Sequence, residues 1–160
     1  MRTVTVKALS AESFNKYGSY ADFLHPAGER LGDFFRDPVL MTTSGRMPVA
    51  FSPLAVYKRE MIVKSAEYHD YTPEVSMCID DDVIVHLAPA GNDPCPEKTE
   101  AFLVPKGTLL CINPGVWHMA AFPVNMEEAH ILIALPERTY HNDCTVVDYP
   151  ENQWIRIVMS

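Results

Sequence analysis

Two stretches of the sequence carry histidine and carboxylate side chains at spacings that suit proton transfer or metal binding. The first holds Glu67 and His69, two positions apart, and Glu74 five residues further on. Alternate side chains of an extended chain project to the same face, so Glu67 and His69 should lie together. The second stretch, Pro114-Gly115-x2-His118, places an imidazole just after a tight turn. Histidine titrates near neutrality, so it suits acid–base chemistry and metal ligation alike.

Short strands must position these residues. The chain predicts strands over residues 56–64, 83–88, 101–104, 108–112, 116–122 and 130–135, with turns rich in Pro and Gly between them. One short helix is expected over residues 10–17, with Ser10 as N-cap and Gly18 as its stop. Residues 19–38 are predicted to be an irregular arm. Such a pattern predicts an antiparallel sandwich or barrel and excludes a βαβ nucleotide-binding fold.

Composition limits the kind of protein and its partners. The chain has 160 residues, 48% of them hydrophobic, which fits one domain spanning residues 1–160. It shows no signal-peptide or membrane-spanning run, so we expect a cytoplasmic protein. A formal charge of −8 without any Lys/Arg cluster disfavours nucleic acid and anionic membranes as partners. The four cysteines form no C-x-x-C pair and are expected to be reduced, packed thiols.

In their order, the two polar stretches resemble the sequence motifs of the cupin superfamily. Its first motif carries histidine and carboxylate side chains, as Glu67-x-His69 does, and its second has the form P-G-x-x-H, as residues 114–118 do. The resemblance implies an all-β, cupin-like antiparallel β-barrel, a jelly roll or double-stranded β-helix, with a short N-terminal helix. The polar residues would then converge on the barrel mouth.

Several blocks are also similar to the ureidoglycolate lyase family of allantoin catabolism. They are residues 6–18, Glu67-x-His69, residues 101–103 with 113–118, and residues 142–146, in that order along the chain. This resemblance implies a carbon–nitrogen lyase that cleaves ureidoglycolate to glyoxylate and urea without water. It also implies a homodimer. Glu-x-His stands here where typical metal cupins have His-x-His.

The residue types are compatible with such chemistry, which needs a base at a hydroxyl and an acid at the leaving nitrogen. We expect His118, Glu67 and His69 to be catalytic, with His118 and Glu67 managing the proton transfers. His69 and Glu74 would orient the substrate or, together with His118, ligate a divalent metal ion. No organic cofactor is expected.

A small carboxylate is the expected substrate, and three side chains are candidates to bind it. Arg59 leads, because a guanidinium binds carboxylates through two parallel hydrogen bonds and Arg59 would share strand parity with Glu67. Lys58 is a weaker choice. Trp117, next to His118, is the third candidate, with packing in the core or an interface as its alternative.

Two other functions remain open at this stage. One is a different small-molecule enzyme on the same barrel, such as a metal-dependent isomerase or lyase acting on a sugar acid or keto acid. The other is a non-catalytic barrel that binds a metabolite. His86 lies in the apolar run 83–88 and is expected to be a hydrogen-bonded core histidine, while Cys144 is expected to be packed.

Overall fold

The computed structural model describes residues 1–43, 45 and 47–159, and strands make up most of its regular structure. Only 9% is helical. Residues Pro96–Lys98 and Glu151–Gln153 form short 3-10 turns. The other elements in chain order are β1 (Arg2–Ala8), α1 (Ala11–Phe14), β2 (Gly18–Asp22), β3 (Arg30–Leu31), β4 (Phe34–Phe35), β5 (Val49–Tyr57), β6 (Ile62–Val63), β7 (Ser65–Tyr68), β8 (Glu74–Cys78), β9 (Val83–Ala88), β10 (Glu100–Val104), β11 (Thr108–Ile112), β12 (Trp117–His118), β13 (Phe122–Pro123), β14 (Glu128–Pro136), α2 (Thr139–Asn142), β15 (Thr145–Asp148) and β16 (Ile155–Val158).

Two curled sheets build the molecule. The larger has the order β15-β7-β12-β9-β10-β1-β16-β6, with β13 also pairing with β9. The smaller has the order β2-β11-β8-β14-β5, and β3 and β4 form a separate hairpin. Together the sheets form a half-barrel, so the predicted all-β, cupin-like fold is confirmed. One detail differs from a purely antiparallel barrel, since β1 pairs in parallel with both β10 and β16.

Strand β9 lies inside the larger sheet and is buried along its whole length. Val85 and Leu87 face one apolar cluster, which includes Phe102. Ile84 and Ala88 face a second cluster on the other side of the sheet. A continuous apolar run is typical of a strand covered on both faces, and each fully buried large side chain contributes about 1.5–3 kcal/mol. This strand therefore separates an inner from an outer face of the sheet.

The N-terminal segment is more regular than the sequence predicts. The helix is confirmed but ends after one turn, at Phe14, and Ser10 caps it by accepting a hydrogen bond from the Ser13 N–H at 3.2 Å. Residues 18–22 belong to strand β2, which pairs with β11 along its full length. A side chain at Gly18 would place its Cβ 1.9 Å from the Cys111 carbonyl oxygen. Glycine therefore permits this close pairing, which the prediction of an irregular arm missed.

Strand boundaries change further along the chain. The strand predicted over 56–64 is not continuous. Residues 56–57 are the end of β5, which stops at Tyr57 because β14 pairs with residues 49–57 only, and residues 62–63 form β6. The segment predicted over 116–122 divides into the short strands β12 and β13. Positions 44 and 46 lie outside the described residues. None of the helices in the described part of the chain has the length and apolar character that crossing a bilayer requires.

Candidate metal centre

The structure brings the four predicted polar residues together. One ligand atom from each of Glu67, His69, Glu74 and His118 lies within 4.8 Å of the others. Glu67 on β7 pairs directly with His118 on β12. Glu74 begins β8, and His69 follows the end of β7. The centre therefore joins the two sheets, as the predicted convergence requires.

Backbone carbonyls fix the orientation of both imidazoles. Nδ1 of His69 lies 2.7 Å from the carbonyl oxygen of Asp143, and Nδ1 of His118 lies 2.9 Å from that of Val116. A carbonyl only accepts, so each Nδ1 carries the proton and donates it. In the neutral ring Nε2 then holds a free lone pair. Both Nε2 atoms lie 3.4 Å from the same oxygen, Oε2 of Glu74.

The centre is removed from water, and its charges depend on one another. The exposed fractions of His69, Glu74 and His118 are 2%, 8% and 5%. Burial by itself raises the pKa of Glu74, but the attraction of the two histidines outweighs it and lowers that pKa to about 2. Burial likewise lowers the pKa of His118, yet Glu74 outweighs it and raises that pKa to about 9. These pKa shifts of Glu74 and His118 apply to the centre without a bound ion.

One atom of this centre lacks a partner. Nε2 of His118 is the buried side-chain atom for which the described residues provide no hydrogen bond. Buried polar atoms in folded proteins nearly always have a partner, so this one is suited to a ligand. Two imidazole nitrogens and two carboxylates are donors that first-row divalent metals accept. The Nδ1–H contacts to carbonyls are also the outer contacts that orient metal-binding histidines. The residues present therefore fit a divalent metal ion, whose identity the donors leave open.

Asp143 organises the loop that holds His69, although it was not singled out as a site residue. Its carboxylate accepts hydrogen bonds from the N–H of Asp70 at 2.7 Å, the N–H of Tyr71 at 2.9 Å and the hydroxyl of Thr72 at 3.0 Å. Its carbonyl accepts the Nδ1–H of His69. The pairing of a late loop with residues 69–72 has no local sequence signal, because the contacts span more than 70 positions.

Two further side chains beside the centre come from the same late segment. The Cys144 thiol donates to Oε2 of Glu67 at 3.4 Å. Burial and the nearby Glu67 raise the pKa of Cys144 to about 12, which favours the protonated thiol. Tyr140, also missed by the sequence analysis, lies with its ring centre 6.3 Å from that of His69. Burial, with Glu74 and Glu67 nearby, raises the pKa of Tyr140 to about 12.

A small chamber adjoins the centre inside the barrel. Its volume is about 60 Å³. Glu67, Glu74, His118 and Tyr140 line it, and most of the remaining wall is apolar, including Leu54, Val85, Leu110, Ile112 and Ile133. A cavity needs about 10–15 Å³ of this volume to hold one water molecule, so the chamber has room for only a few heavy atoms. It will be called the metal chamber.

The three predicted substrate-binding side chains lie elsewhere. Lys58 is 3.3 Å from Glu127 at the surface. Trp117 packs in the outer cluster and donates its Nε1–H to the Gly91 carbonyl at 3.0 Å. Arg59 follows the end of β5, so the parity argument that placed it beside Glu67 was wrong. None of the three lines the metal chamber in the described part of the chain, and their role in binding stays a prediction.

No protein-family model matches the chain, and no curated protein sequence matches it. Solved structures that resemble it include RmlC from Streptococcus suis in complex with dTDP-D-xylose, at 9% identity and a TM-score of 0.37, covering 56% of this chain and 44% of that one. A second is dTDP-4-dehydrorhamnose 3,5-epimerase from Elizabethkingia anophelis, at 10% identity and a TM-score of 0.43, covering 72% of this chain and 68% of that one. A third is dTDP-6-deoxy-D-glucose-3,5-epimerase RmlC from Legionella pneumophila, at 13% identity and a TM-score of 0.45, covering 74% of this chain and 66% of that one.

These structures bear on the predicted reaction class. Two of them are named as epimerases, which are isomerases, so the carbon–nitrogen lyase predicted from the sequence finds no support in this comparison and is not retained. Allantoin catabolism and ureidoglycolate find no support in it either. At such low identity the likeness concerns the fold alone. The chain is an all-β protein with a cupin-like fold whose two sheets bring two histidines and two glutamates together.

Proposed function

We propose that the chain is a metal-dependent enzyme that isomerises a small keto acid or sugar acid by moving a proton next to a carbonyl group. The observation that carries this proposal is the pair of Nε2 lone pairs and the Glu74 carboxylate converging beside a mostly apolar chamber. Such an arrangement would be costly to bury without an ion or a substrate to use it. Perturbed titrating groups at a cavity are also a general sign of a functional site.

His69, Glu74 and His118 would hold the metal ion. A divalent ion in this position would polarise the carbonyl oxygen of the substrate and thereby acidify the neighbouring C–H bond. The rigid Nδ1–H contacts of the two histidines keep their Nε2 atoms aimed at one point. Most of the centre thus serves to position the substrate oxygen, and proton transfer falls to other side chains.

Glu67 is the residue that we assign as the base. It is less buried than Glu74 and lines the chamber beside the proposed ligands. Its carboxylate would take the proton from carbon and return it at another position, which leaves atoms and charge balanced over the cycle. Tyr140 lines the same chamber, and its neutral phenol would donate a hydrogen bond to the substrate oxygen.

The size of the chamber limits the substrate. At about 60 Å³ it is far smaller than the roughly 300–1,000 Å³ of sites that hold drug-sized ligands. A whole nucleotide sugar does not fit inside. The reacting part of the substrate is therefore limited to a few heavy atoms, as in a short keto acid.

Solvent deuterium exchange tests this proposal. The protein is loaded with one equivalent of Mn²⁺, Zn²⁺ or Ni²⁺ and incubated in D₂O with pyruvate, 2-oxobutanoate or glycerate, and exchange at carbon is followed by NMR. Wild type should catalyse exchange with at least one acid. Glu67→Gln should keep the metal and lose exchange by about 100-fold or more, the usual contribution of a positioned base.

Two further variants separate the possible outcomes. His118→Ala should lose both metal and exchange, whereas Glu97→Gln, an exposed carboxylate that does not line the chamber, should match wild type. Metal binding and saturable acid binding without any exchange would refute the enzyme proposal in favour of a metabolite-binding barrel. Exchange that survives in Glu67→Gln would refute the role of Glu67.

A further inference from the structure

A second pocket lies on the other side of the sheet from the metal chamber. It has a volume of about 420 Å³ and is lined by Arg59, Glu60, Lys64, His86, Met119 and Phe122, together with Ile62, Val63 and Ser65. We call it the side pocket. His86 and Met119 border both cavities, so they form the wall between them.

His86 lies at the wall of the side pocket without a hydrogen bond. It alternates on β9 with Val85 and Leu87, which face the inner cluster, so its side chain belongs to the outer face. There its ring centre lies 5.8 Å from that of Phe122. Only 3% of the residue is exposed, and among the described residues neither ring nitrogen makes a hydrogen bond or is fully enclosed, so the ring nitrogens reach the open space of the pocket. The expectation of a hydrogen-bonded core histidine is therefore not met.

Arg59 is held in a fixed position beside this histidine. Nη1 donates to the carbonyls of Tyr57 and Ala121, both at 3.1 Å, and Nη2 donates to that of Ala120 at 2.8 Å. Its guanidinium carbon lies 4.1 Å from the ring centre of Phe122. These contacts occupy one edge of the guanidinium and leave Nε–H and one Nη2–H on the other edge without partners.

Those two free donors have the geometry that carboxylates prefer. A guanidinium binds a carboxylate by two parallel N–H···O bonds, which the Nε and Nη2 edge supplies. No carboxylate of the described residues lies within salt-bridge distance of Arg59, although Glu60 is its neighbour in sequence and shares the pocket. Lys64, the other cation of the pocket, lies over the Trp154 ring with Nζ 4.7 Å from its centre.

We propose that the side pocket is a second binding site, for a small carboxylate with an apolar body. Arg59 binds the carboxylate through its free edge, and the imidazole of His86 makes a hydrogen bond with it or with its neighbouring polar group. Phe122, Met119 and Ile62 contact the apolar part. Burial, followed by the charges of His118 and Arg59, lowers the pKa of His86 to about 3, so the ring is neutral and keeps one N–H donor. This site does not rest on the proposed function, because none of its polar groups is a proposed metal ligand.

Titration with 3-methylbutanoate tests the proposal, by calorimetry and by NMR of protein with ¹³C-labelled methionine methyl groups. The carboxylate should bind with one site per chain, and the Met119 methyl resonance should shift. The uncharged 3-methylbutanamide should not bind. Metal-free protein and protein loaded with Zn²⁺ should give the same affinity within about 2-fold, since the two cavities are separated by a wall.

Variants of the pocket give opposite expected effects. Arg59→Gln should weaken binding by about 10-fold or more, since it removes a charge-assisted, two-bond contact. Arg59→Lys should also weaken binding, because lysine keeps the charge but cannot make two parallel hydrogen bonds to a carboxylate. As a conservative change, it also controls for a folding defect in Arg59→Gln. Glu60→Gln should bind at least as tightly as wild type, because a like charge is removed. Lys58→Gln, a cation outside the pocket, should match wild type.

Equal binding by wild type and Arg59→Gln would overturn the proposal. So would binding of the amide as tightly as the carboxylate, or saturable binding that leaves the Met119 methyl resonance unshifted. The absence of saturable binding up to about 10 mM would overturn it as well, since that is about ten times a weak dissociation constant of ~1 mM.

Discussion

Removal of the Asp143 carboxylate should weaken metal binding as well as the fold. The Asp143→Ala variant loses three hydrogen bonds, from the N–H groups of Asp70 and Tyr71 and from the Thr72 hydroxyl. Hydrogen bonds to charged groups are worth about 1.5–3 kcal/mol when shielded and less in an exposed loop, so ~1 kcal/mol each is a suitable value here. The free energy of unfolding should therefore fall by about 2–4 kcal/mol.

The second effect concerns His69, which donates to the carbonyl of the same Asp143. Loss of the loop anchor frees the position of that carbonyl, so the imidazole loses its fixed orientation. Changes to the groups that orient a metal-binding histidine typically cost 10–100-fold in affinity, and we expect about 10-fold for Asp143→Ala. Asp143→Asn, which keeps one acceptor oxygen, should show roughly half of the loss in stability.

Urea denaturation at pH 7 measures the first effect, and calorimetric titration with Zn²⁺, well below the unfolding temperature, measures the second. Asp93→Ala is the matched control, because it removes a carboxylate that makes no side-chain hydrogen bond in the described part of the chain. It should change stability by less than about 0.5 kcal/mol. A loss of stability with unchanged metal affinity would refute the positioning role of Asp143, and no change in either quantity would refute the loop contacts themselves.

Three other predictions concern the fold and the assembly. Burial alone would raise the pKa of Glu100, but hydrogen bonds from Lys16, Lys7 and the Tyr17 hydroxyl outweigh it and lower that pKa to about 2. The contribution of Glu100 to the free energy of unfolding is therefore complete above about pH 4.5 and is lost as the pH falls toward 2. Glu100→Gln should cost about 1–2 kcal/mol at pH 7 after allowance for solvent screening, and a cost that is undiminished at pH 2.5 in urea denaturation would contradict this. Gly18→Ala should cost about 2–3 kcal/mol, because its Cβ would overlap the Cys111 carbonyl, and a wild-type melting temperature would contradict the pairing. Sedimentation should show the predicted homodimer, and a single 18.0 kDa species would refute it.

Local patterns predicted the strands that surround the site. The all-buried strand β9 and the pair β10 and β11 were expected within one or two residues, because apolar runs bounded by Pro and Gly turns are strong local signals. The four converging residues were also predicted, because their two stretches resemble the sequence motifs of the cupin superfamily. What the local pattern could not supply was the long-range pairing that brings residues 67–74 and 118 within one cluster.

The errors have a common cause in long-range contacts. Arg59 was assigned to the strand of Glu67 because the apolar pattern continues past Tyr57, whereas pairing with β14 ends there. Asp143 and Tyr140 gave no signal, because their roles depend on the return of the late segment to the loop after His69. The prediction of the reaction class relied on short motifs, and a fold with its motif residues does not determine one reaction.

The most direct test of the account is an X-ray absorption spectrum of the protein loaded with one equivalent of Zn²⁺. The account predicts a shell of nitrogen and oxygen ligands at about 2.0–2.2 Å with the scattering of two imidazoles, from His69 and His118, and no sulfur. His118→Ala should lose one imidazole from that shell. A zinc–sulfur distance of about 2.3 Å, or a spectrum that His118→Ala leaves unchanged, would contradict the assignment of this centre as the metal site.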